Sequence, residues 1–333
     1  MHKGASAVET DKLNKIIEAA KLYYLLDYSQ QDIASKLGVS RPTVSRLLQQ
    51  AKEEGIVEIR IMDPNENRKV LARDLEEAFG LKKAIIASVP LFEDNVIKEF
   101  LGRAAAEYLH DIVKEGDMIG TIWGTTLYQV ASHLEHKMLK NVKIVQLKGG
   151  VSHSEAKTYA SETLSLFEKA FDATSYQLPL PAIVDHVVVK QAIEADRHIR
   201  KLLDMGRQAN IALYTVGMPK TDSLLFQLGY FSEEDAKLIS ERAVGDIASR
   251  FFDKDGRICN EQLNARTIGI ELDELRNKEQ SILIAGGTKK VEGIFGALQA
   301  KYANVLITDQ YTAKLLLSRR TEACSPQLQP NEA

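Results

Sequence analysis

Six short apolar runs, with amphipathic helical stretches between several of them, constrain the fold of this chain more than any other feature. Apolar strands that alternate with helices are typical of a parallel sheet covered by helices on both faces. We therefore predict an α/β domain. In such sheets ligands bind beyond the carboxyl ends of the strands, so we expect functional residues directly after the runs. The runs are residues 84–88, 118–123, 142–147, 211–216, 281–286 and 305–309.

A smaller helical unit is predicted ahead of the sheet, within residues 28–61. Ser29 and Ser40 are each suited to begin a helix, because a hydroxyl oxygen accepts a hydrogen bond from a free N–H of the first turn. Gly38 between the two helices permits a tight turn. The alternating residues 56–61 predict a β-wing beside them. This pattern is typical of a winged helix-turn-helix that binds DNA, although two helices joined by a glycine turn also occur in other helical domains.

The second of these helices carries the residues that we predict to contact double-stranded DNA. Its outward residues can hydrogen-bond phosphates and base edges, and no carboxylate stands among them. Residues 29–52 contain four cations and one acid, on a chain whose formal net charge is −3. This local charge favours site-specific binding to an operator over non-specific coating of nucleic acid. The predicted DNA-binding residues are Arg41, Pro42, Thr43, Ser45, Arg46 and Gln49.

The sequence patterns divide the chain into four parts. A helix that supports the DNA-binding unit is expected at residues 10–27, with Leu13 on its apolar face. On a later charged helix Leu71, Leu75 and Phe79 recur every four residues, and this apolar seam either joins subunits or packs on its own domain. The predicted parts are a winged helix-turn-helix domain at residues 1–62, a linker helix at 63–82, an effector-binding and oligomerisation domain at 83–318 and a mobile tail at 319–333.

Composition argues against several classes of protein. Cys259 and Cys324 are the two cysteines and have no His or Cys nearby at metal-ligand spacing, so we expect neither a disulfide framework nor a structural zinc. The seven histidines are scattered without a catalytic constellation, so we predict no catalytic residues, no metal and no cofactor. No apolar run has the form of a signal peptide or the length of a membrane span, so we expect a cytoplasmic protein with no membrane partner.

Two loops that follow apolar runs have the features of a phosphate site. Gly124, Thr125 and Thr126 stand where a helix is predicted to begin, and the free N–H groups at a helix start favour an anion. Lys290 stands just before another predicted helix and follows two glycines. A plain capped turn would look similar to the first loop by itself. Two such loops on one sheet predict a phosphate pocket.

Lys148 and Gly149 follow another apolar run and are predicted to line the same pocket. The lysine has three interpretations, namely an electrostatic contact to a sugar phosphate, a Schiff base with an aldehyde, and a solvated loop lysine. The Schiff base requires partly apolar surroundings that lower the pKa of the amine. Asp246 either accepts hydrogen bonds from sugar hydroxyls or caps a helix, and Asp309 is expected to cap the final helix.

Six segments together resemble the SorC-type sugar-binding transcriptional regulators. The likeness covers nearly the whole chain except the N-terminal dozen residues and the tail. The segments are YSQQDIASKLGVSRPTVSRLLQ, GTIWGTT, QLKGG, VGDI, AGGTKKVEGIFGAL and YANVLITDQYTAKLLL.

The resemblance implies a repressor with a winged DNA-binding domain joined to an effector domain similar to phosphosugar isomerases and deaminases. It also implies assembly into homodimers or homotetramers and release from the operator by a phosphosugar. Within the family the likeness is greatest to regulators of deoxyribonucleoside catabolism, for which the inducer would be deoxyribose 5-phosphate. The fold likeness leaves open an enzyme with a DNA-binding head, either a phosphosugar isomerase or a lysine-dependent aldolase.

The resemblance also assigns roles to individual residues. The family often has arginine before the paired glycines, whereas this chain has Lys148. That difference removes a fork suited to a second phosphate and points to a sugar with one phosphate. The acid that the family places near the sugar maps onto Asp246. The family's phosphate contacts map onto Gly124, Thr125, Thr126 and Lys290.

Overall fold

A computed structural model describes residues 4–59, 67–150, 157–220 and 223–324. The chain divides into two compact units, residues 1–66 and residues 67–333. Each unit has its own hydrophobic core.

The N-terminal unit is built from three helices whose ends follow the predicted caps. Ser29 accepts a hydrogen bond from the Asp32 N–H at 3.2 Å and so begins the second helix. Gly38 ends that helix with a φ of 62°, a left-handed conformation that glycine adopts without strain. The predicted cap and turn residues are therefore confirmed. The helices are α1 (Gly4–Tyr24), α2 (Gln30–Leu37) and α3 (Arg41–Glu53).

The core of this unit lies where the three helices meet. Ile16 of α1, Ile33 of α2 and Val44 of α3 are buried together. Leu13 is 43% exposed, so its predicted place on the buried face is wrong, because the buried part of α1 begins one turn later. Residues 56–59 are irregular and form no part of the predicted wing strand, while the rest of the predicted wing lies outside the described residues.

The C-terminal unit is organised around a parallel sheet and one small antiparallel hairpin. All six apolar runs found in the sequence form strands of the sheet. The strands of the sheet are β1 (Lys83–Ala87), β2 (Met118–Thr121), β3 (Lys143–Gln146), β4 (Thr174–Tyr176), β5 (Ile211–Tyr214), β8 (Gln280–Ile284) and β9 (Val305–Asp309). The hairpin consists of β6 (Gly245–Ile247) and β7 (Arg250–Phe252).

The strand order in the seven-stranded sheet is β1-β9-β8-β5-β2-β3-β4, and every neighbouring pair is parallel. The carboxyl ends of all strands therefore lie along one edge. Sequence analysis missed β4, because this short edge strand has no fully buried residue and hence no apolar pattern. It also missed the hairpin, whose first strand contains a buried charge.

Helices pack around the sheet and complete the core of the C-terminal unit. The helices are α4 (Arg68–Phe79), α5 (Asp94–Ile112), α6 (Thr125–Ser132), α7 (Ala160–Phe171), α8 (Val187–Ala195), α9 (Arg197–Gln208), α10 (Leu224–Gln227), α11 (Glu233–Arg242), α12 (Glu261–Asn264), α13 (Leu272–Leu275), α14 (Val291–Gln299) and α15 (Gln310–Cys324). Within the described ranges, none of the helices combines the length and the apolar character needed to cross a lipid bilayer.

The apolar seam of α4 packs on its own unit. Leu75 and Phe79 are buried in the core of the sheet domain. The Phe79 ring meets the Phe295 ring of α14 edge to face, with 5.7 Å between centroids. At the other end of the chain α15 continues to Cys324, so the predicted start of a mobile tail at residue 319 is wrong. Residues 325–333 of that predicted tail lie outside the described part of the chain.

Replacement of Leu75 by alanine should lower the free energy of unfolding of the C-terminal unit by about 2–5 kcal/mol, since it removes a fully buried side chain. Leu71→Ala on the same helix is the matched control and should cost less, because Leu71 is half-buried. Trp123 is the only tryptophan of the chain and lies in this unit, so its fluorescence in a urea titration reports the relevant transition. Equal losses for the two variants would contradict the packing of α4.

Candidate functional site

The second helix of the helix-turn-helix, α3, is fixed by its cap and its buried face. Ser40 accepts a hydrogen bond from the Thr43 N–H at 3.4 Å. Pro42 lies in the first turn, where a missing N–H costs no helical hydrogen bond. The inward residues of α3 hold the outer face toward solvent; they are Val44, Leu47, Leu48 and Ala51.

The structure exposes five of the six predicted DNA-binding residues. Thr43 differs from the prediction, because it is half-buried and its hydroxyl lies 2.9 Å from the Ser40 hydroxyl in the cap. The Gln49 side-chain amide donates to Glu53 at 2.9 Å, which leaves the Gln49 amide oxygen as its outward polar group. The exposed residues are Arg41, Pro42, Ser45, Arg46 and Gln49.

A second candidate site lies at the carboxyl edge of the sheet. The loops that follow β8, β5, β2 and β3 are neighbours, because these four strands are adjacent in the sheet. Asp246 joins them from the β6–β7 hairpin. Its backbone exchanges two hydrogen bonds with Gly217 after β5, at 2.8 and 3.2 Å. Residues separated by more than 160 positions thus meet at one edge.

Lys148 is buried after β3, with only 4% of its surface exposed. Its ammonium nitrogen lies 3.6 Å from the centroid of the Trp123 ring and donates to the Ser249 hydroxyl at 3.4 Å. Burial lowers the pKa of Lys148 to about 8, and the nearby Asp246 carboxylate opposes that shift. The interpretation of Lys148 as a solvated loop lysine is wrong.

Asp246 is the buried carboxyl of the site, with 6% of its surface exposed. Burial raises the pKa of Asp246, while Lys148, the Ser249 N–H and Lys290 act to lower it. One carboxyl oxygen accepts a hydrogen bond from the Ser249 N–H at 3.1 Å. A Cβ on Gly217 would lie 2.0 Å from the other oxygen, so only glycine fits against it. Asp246 lies in β6, and the alternative that it caps a helix is wrong.

The predicted phosphate loops lie on both sides of β5. Gly124 begins α6 with a φ of 136°, and no side chain of the described residues caps this helix, so its first N–H groups remain for a ligand. Thr125 is exposed and Thr126 is buried. On the other side the Lys290 ammonium lies 3.4 Å from the Thr215 hydroxyl. Burial lowers the pKa of Lys290 to about 8.

Gly149 serves the scaffold of the site. Its N–H donates to the Ile268 carbonyl at 3.2 Å, and its carbonyl accepts a hydrogen bond from the Trp123 indole at 2.6 Å. A Cβ on Gly149 would lie 2.2 Å from the Pro181 carbonyl oxygen. Both backbone polar groups are therefore engaged, in contrast to the direct effector contact that the sequence predicted.

Sequence analysis missed two residues of the site. Trp123 forms one wall beside Lys148, and its position between β2 and Gly124 could have indicated this role. Ser249 could not be found from its neighbours. It follows Ala248 in a buried two-residue turn in which both residues are left-handed, with φ of 52° and 68°. Such a turn normally takes glycine or asparagine, and each strained residue costs on the order of 1–3 kcal/mol.

Arg250 holds this strained hairpin in place. Its guanidinium is fully buried and donates to the Ile270 carbonyl at 2.7 Å and to the Glu271 carboxylate at 2.6 Å. Further bonds run to Asn264, Thr267 and Gly269. Gly269 forms an antiparallel bridge with Lys148. Arg250 therefore fixes the distance between the hairpin and Lys148.

A cavity of about 410 Å³ lies elsewhere on the C-terminal unit. It contains none of the residues described for the strand-end site, and the half-buried Cys259 on its wall has a pKa raised by burial to about 11. A thiol in that state is a poor nucleophile. The lining residues are Arg242, Val244, Asp253, Lys254, Ile258 and Cys259.

Both units match known families. Residues 63–318 match the Sugar-bind family, a sugar-binding domain, and residues 14–68 match a Crp-like helix-turn-helix domain. The chain is 53% identical to the deoxyribonucleoside regulator of Bacillus subtilis over 311 aligned residues. The alignment covers 93% of this chain and 99% of that protein. It is 34% identical over 313 residues to the sorbitol operon regulator of Klebsiella pneumoniae, which covers 92% of this chain and 99% of that protein.

Solved structures show the same architecture. The full-length sorbitol operon regulator SorC from Klebsiella pneumoniae superposes with a TM-score of 0.72 at 30% identity, covering 92% of this chain and 99% of that chain. A transcriptional regulator from Streptococcus pneumoniae superposes with a TM-score of 0.72 at 26% identity, covering 78% of this chain and 100% of that chain.

The lowered pKa predicts that Lys148 reacts with acetic anhydride with a pH midpoint near 8. Asp246→Asn should move that midpoint to lower pH, because it removes the negative charge that favours the ammonium form. Lys143, exposed at the start of the same strand, is the internal control. Mass spectrometry of peptides after labelling across a pH series gives both midpoints. A midpoint for Lys148 near the unshifted lysine value of 10.5 would contradict its buried environment.

Proposed function

The chain belongs to the SorC-type family of sugar-binding transcriptional regulators, and we propose that it is a repressor that a phosphosugar releases from its operator. The observation that carries the proposal is the pairing of two dissimilar surfaces on one chain. The N-terminal unit presents exposed cations on a capped helix. The C-terminal unit brings the buried Lys148, the half-buried Lys290 and the buried carboxyl of Asp246 together at the carboxyl edge of the parallel sheet.

The proposed DNA contacts lie on the outer face of α3. Arg41 and Arg46 are exposed cations that can contact phosphates or guanine, and Ser45 and Gln49 lie nearer to base edges. Thr43 contributes through the cap that fixes the start of the helix. We propose that homodimers or homotetramers bring two such helices to successive half-sites, since symmetric operators require paired readers.

The proposed effector is a small sugar with one phosphate and an aldehyde. Gly124 and Thr125 at the start of α6 suit the phosphate, together with Thr126 and Lys290. Asp246 suits hydrogen bonds from the sugar hydroxyls. Deoxyribose 5-phosphate fits this arrangement, since its phosphorylated oxygen cannot close a six-membered ring and an open-chain aldehyde persists. The printed name of the Bacillus subtilis relative, a deoxyribonucleoside regulator, supports the same choice.

The buried amine of Lys148 supports a covalent step. The neutral amine attacks the aldehyde carbon and forms a carbinolamine, in which the nitrogen is bonded to that carbon. Uptake of a proton from solvent by the carbinolamine hydroxyl and loss of that oxygen as water then give a protonated Schiff base, and the Asp246 carboxylate stabilises its positive charge. The Trp123 ring and the buried turn at Ser249 limit the access of water that would reverse the reaction.

Release from DNA requires that the effector bind more tightly to the arrangement that does not bind the operator. A tenfold loss of operator affinity corresponds to about 1.4 kcal/mol of coupling between the two sites. A phosphate and an imine at one site can supply that difference because each adds interactions that the free protein lacks.

An enzyme is the second candidate, because a buried lysine beside a carboxyl is also the arrangement of a lysine-dependent aldolase. Relatives that cover nearly the whole chain carry the names of regulators, which favours the first proposal. Incubation of the purified protein with deoxyribose 5-phosphate and analysis for cleavage or isomerisation products decides between the two. Multiple turnovers would establish the enzyme.

Arg46→Ala should weaken operator binding by about 1–3 kcal/mol where Arg46 reads guanine, and the loss should then depend on the operator sequence. Gel-shift titrations with the DNA upstream of the neighbouring genes measure the affinity. Lys21→Ala, which removes an exposed cation from α1, is the matched control and should have little effect. A loss equal on all sequences would assign Arg46 to a phosphate contact.

Deoxyribose 5-phosphate should release the operator and, after borohydride reduction, leave a stable adduct on Lys148. Intact mass and peptide mapping locate the adduct, and the gel shift measures the release in parallel. Lys148→Arg keeps the positive charge but cannot form an imine, so it should give no adduct. If deoxyribose 5-phosphate releases the wild-type protein from the operator without forming an adduct, Lys148 makes only an electrostatic contact. If phosphosugars do not release the operator, the proposed effector class is refuted.

A further inference from the structure

The loop that carries Lys290 is tied to α15 by a buried chain of hydrogen bonds. The Gly287 N–H donates to the Thr312 hydroxyl at 2.8 Å. The Thr312 hydroxyl donates in turn to the Asp309 carboxylate at 2.6 Å. Asp309 and Thr312 are both completely buried. We propose that Thr312, oriented by Asp309, is a positioning residue that sets the loop at Gly287 in the shape that receives a phosphate at Lys290.

The chemistry of the three groups fixes the direction of each hydrogen bond. A backbone N–H can only donate and a carboxylate can only accept, so the hydroxyl between them must do both. Serine and threonine can fill this position, whereas valine, with the shape of threonine, cannot. The other Asp309 oxygen accepts the N–H groups of Tyr311 and Thr312 at 2.9 and 2.8 Å. Asp309 is thus the predicted helix cap and also the anchor of the chain.

The space around the loop explains why a small displacement would matter. A Cβ on Gly286 would lie 2.3 Å from an Asp309 oxygen and 3.0 Å from Ile97 of α5. Gly287 has a φ of 95°, which side chains rarely adopt. Three residues later Lys290 points to the Thr215 hydroxyl. The bond to Thr312 therefore helps to determine where the Lys290 ammonium lies.

The same helix contacts α4, the first helix of the C-terminal unit. Leu316 of α15 belongs to the core that contains Leu75 and Phe79. Farther along α15, the Arg320 guanidinium lies 5.7 Å from the centroid of the Phe79 ring. The loop at Gly287 is thus connected to α4 by a hydrogen bond to Thr312 and by the packing of α15 on α4. This role rests on the proposed phosphate site.

Inorganic phosphate tests the inference without any sugar, through its protection of Lys290 from acetylation. Thr312→Val should raise the phosphate concentration for half-maximal protection about tenfold, the effect of leaving the half-buried Gly287 N–H without an acceptor. Thr312→Ser should restore the wild-type value. Thr321→Val is the matched control on the same helix, because the Thr321 hydroxyl is exposed and donates to the Leu317 carbonyl of its own helix, and it should leave protection unchanged.

A second measurement, with the unphosphorylated sugar deoxyribose, distinguishes a general loss of structure from a loss of phosphate positioning. Borohydride trapping of deoxyribose at Lys148 should proceed equally in wild type and Thr312→Val, because that sugar has no phosphate to place. Equal impairment with both probes, or unchanged phosphate protection in Thr312→Val, would overturn the inference. If the valine variant does not fold, phosphate protection can be measured in Asp309→Asn instead. An amide nitrogen at the position of Asp309 Oδ2 cannot accept the hydrogen bond from the Thr312 hydroxyl.

Failure of the inference and failure of the proposed function give different results. If phosphate protects Lys290 equally in wild type and in Thr312→Val, the positioning role of Thr312 is wrong and the anion site stands. If phosphate does not protect Lys290 in wild type, the anion site itself is refuted and the positioning role with it. The operator release assay on wild type then reports on the repressor independently.

Discussion

The C-terminal unit depends on the burial of opposite charges at one edge of a parallel sheet. Lys148 and Asp246 are buried and Lys290 is half-buried, and the loss of hydration opposes the charged form of all three. The Asp246 carboxylate favours the charged form of both lysines, and the two ammonium groups favour the charged form of Asp246. The balance leaves both lysines with a pKa of about 8, well below the ordinary value for lysine. The proposed phosphosugar would add interactions for charges that the free protein pairs only in part.

Backbone conformation, rather than side-chain packing alone, keeps these charges in position. Gly217 lets the Asp246 carboxyl approach a strand end, and Gly269 lets a second segment pair with Lys148. The turn at Ala248 and Ser249 is strained, so it persists only where the surroundings determine it. Arg250 supplies that constraint through bonds to carbonyls and to Glu271. Rigid geometry around a desolvated amine is the condition under which a lysine can distinguish one small ligand from another.

The two units use cations in opposite ways. Arg41 and Arg46 are exposed, so a long polyanion can bind them by displacing counterions, with an affinity that falls as salt rises. Lys148 is enclosed, so solvent ions screen it weakly and a single functional group suffices to engage it. Separate cores allow these two solutions to coexist in one chain. The seam of α4 belongs to the core of the second unit, which makes this helix the point where the sheet domain begins.

The sequence by itself determined the features that local physics controls. Caps at Ser29 and Ser40, the turn at Gly38 and the six apolar strands follow from hydrogen-bonding and periodicity within short windows, and the structure confirms them. Lys148 and Asp246 could be singled out because they stand beside such elements. Only the tertiary structure decided that Ser249 contacts Lys148 and that the backbone N–H and carbonyl of Gly149 form hydrogen bonds within the protein. The contacts of Lys148 with Ser249 and of Gly149 with Ile268 join residues more than 100 positions apart, and Trp123 lies 26 positions before Gly149. No local pattern encodes which of many distant groups a folded backbone will bring within 4 Å.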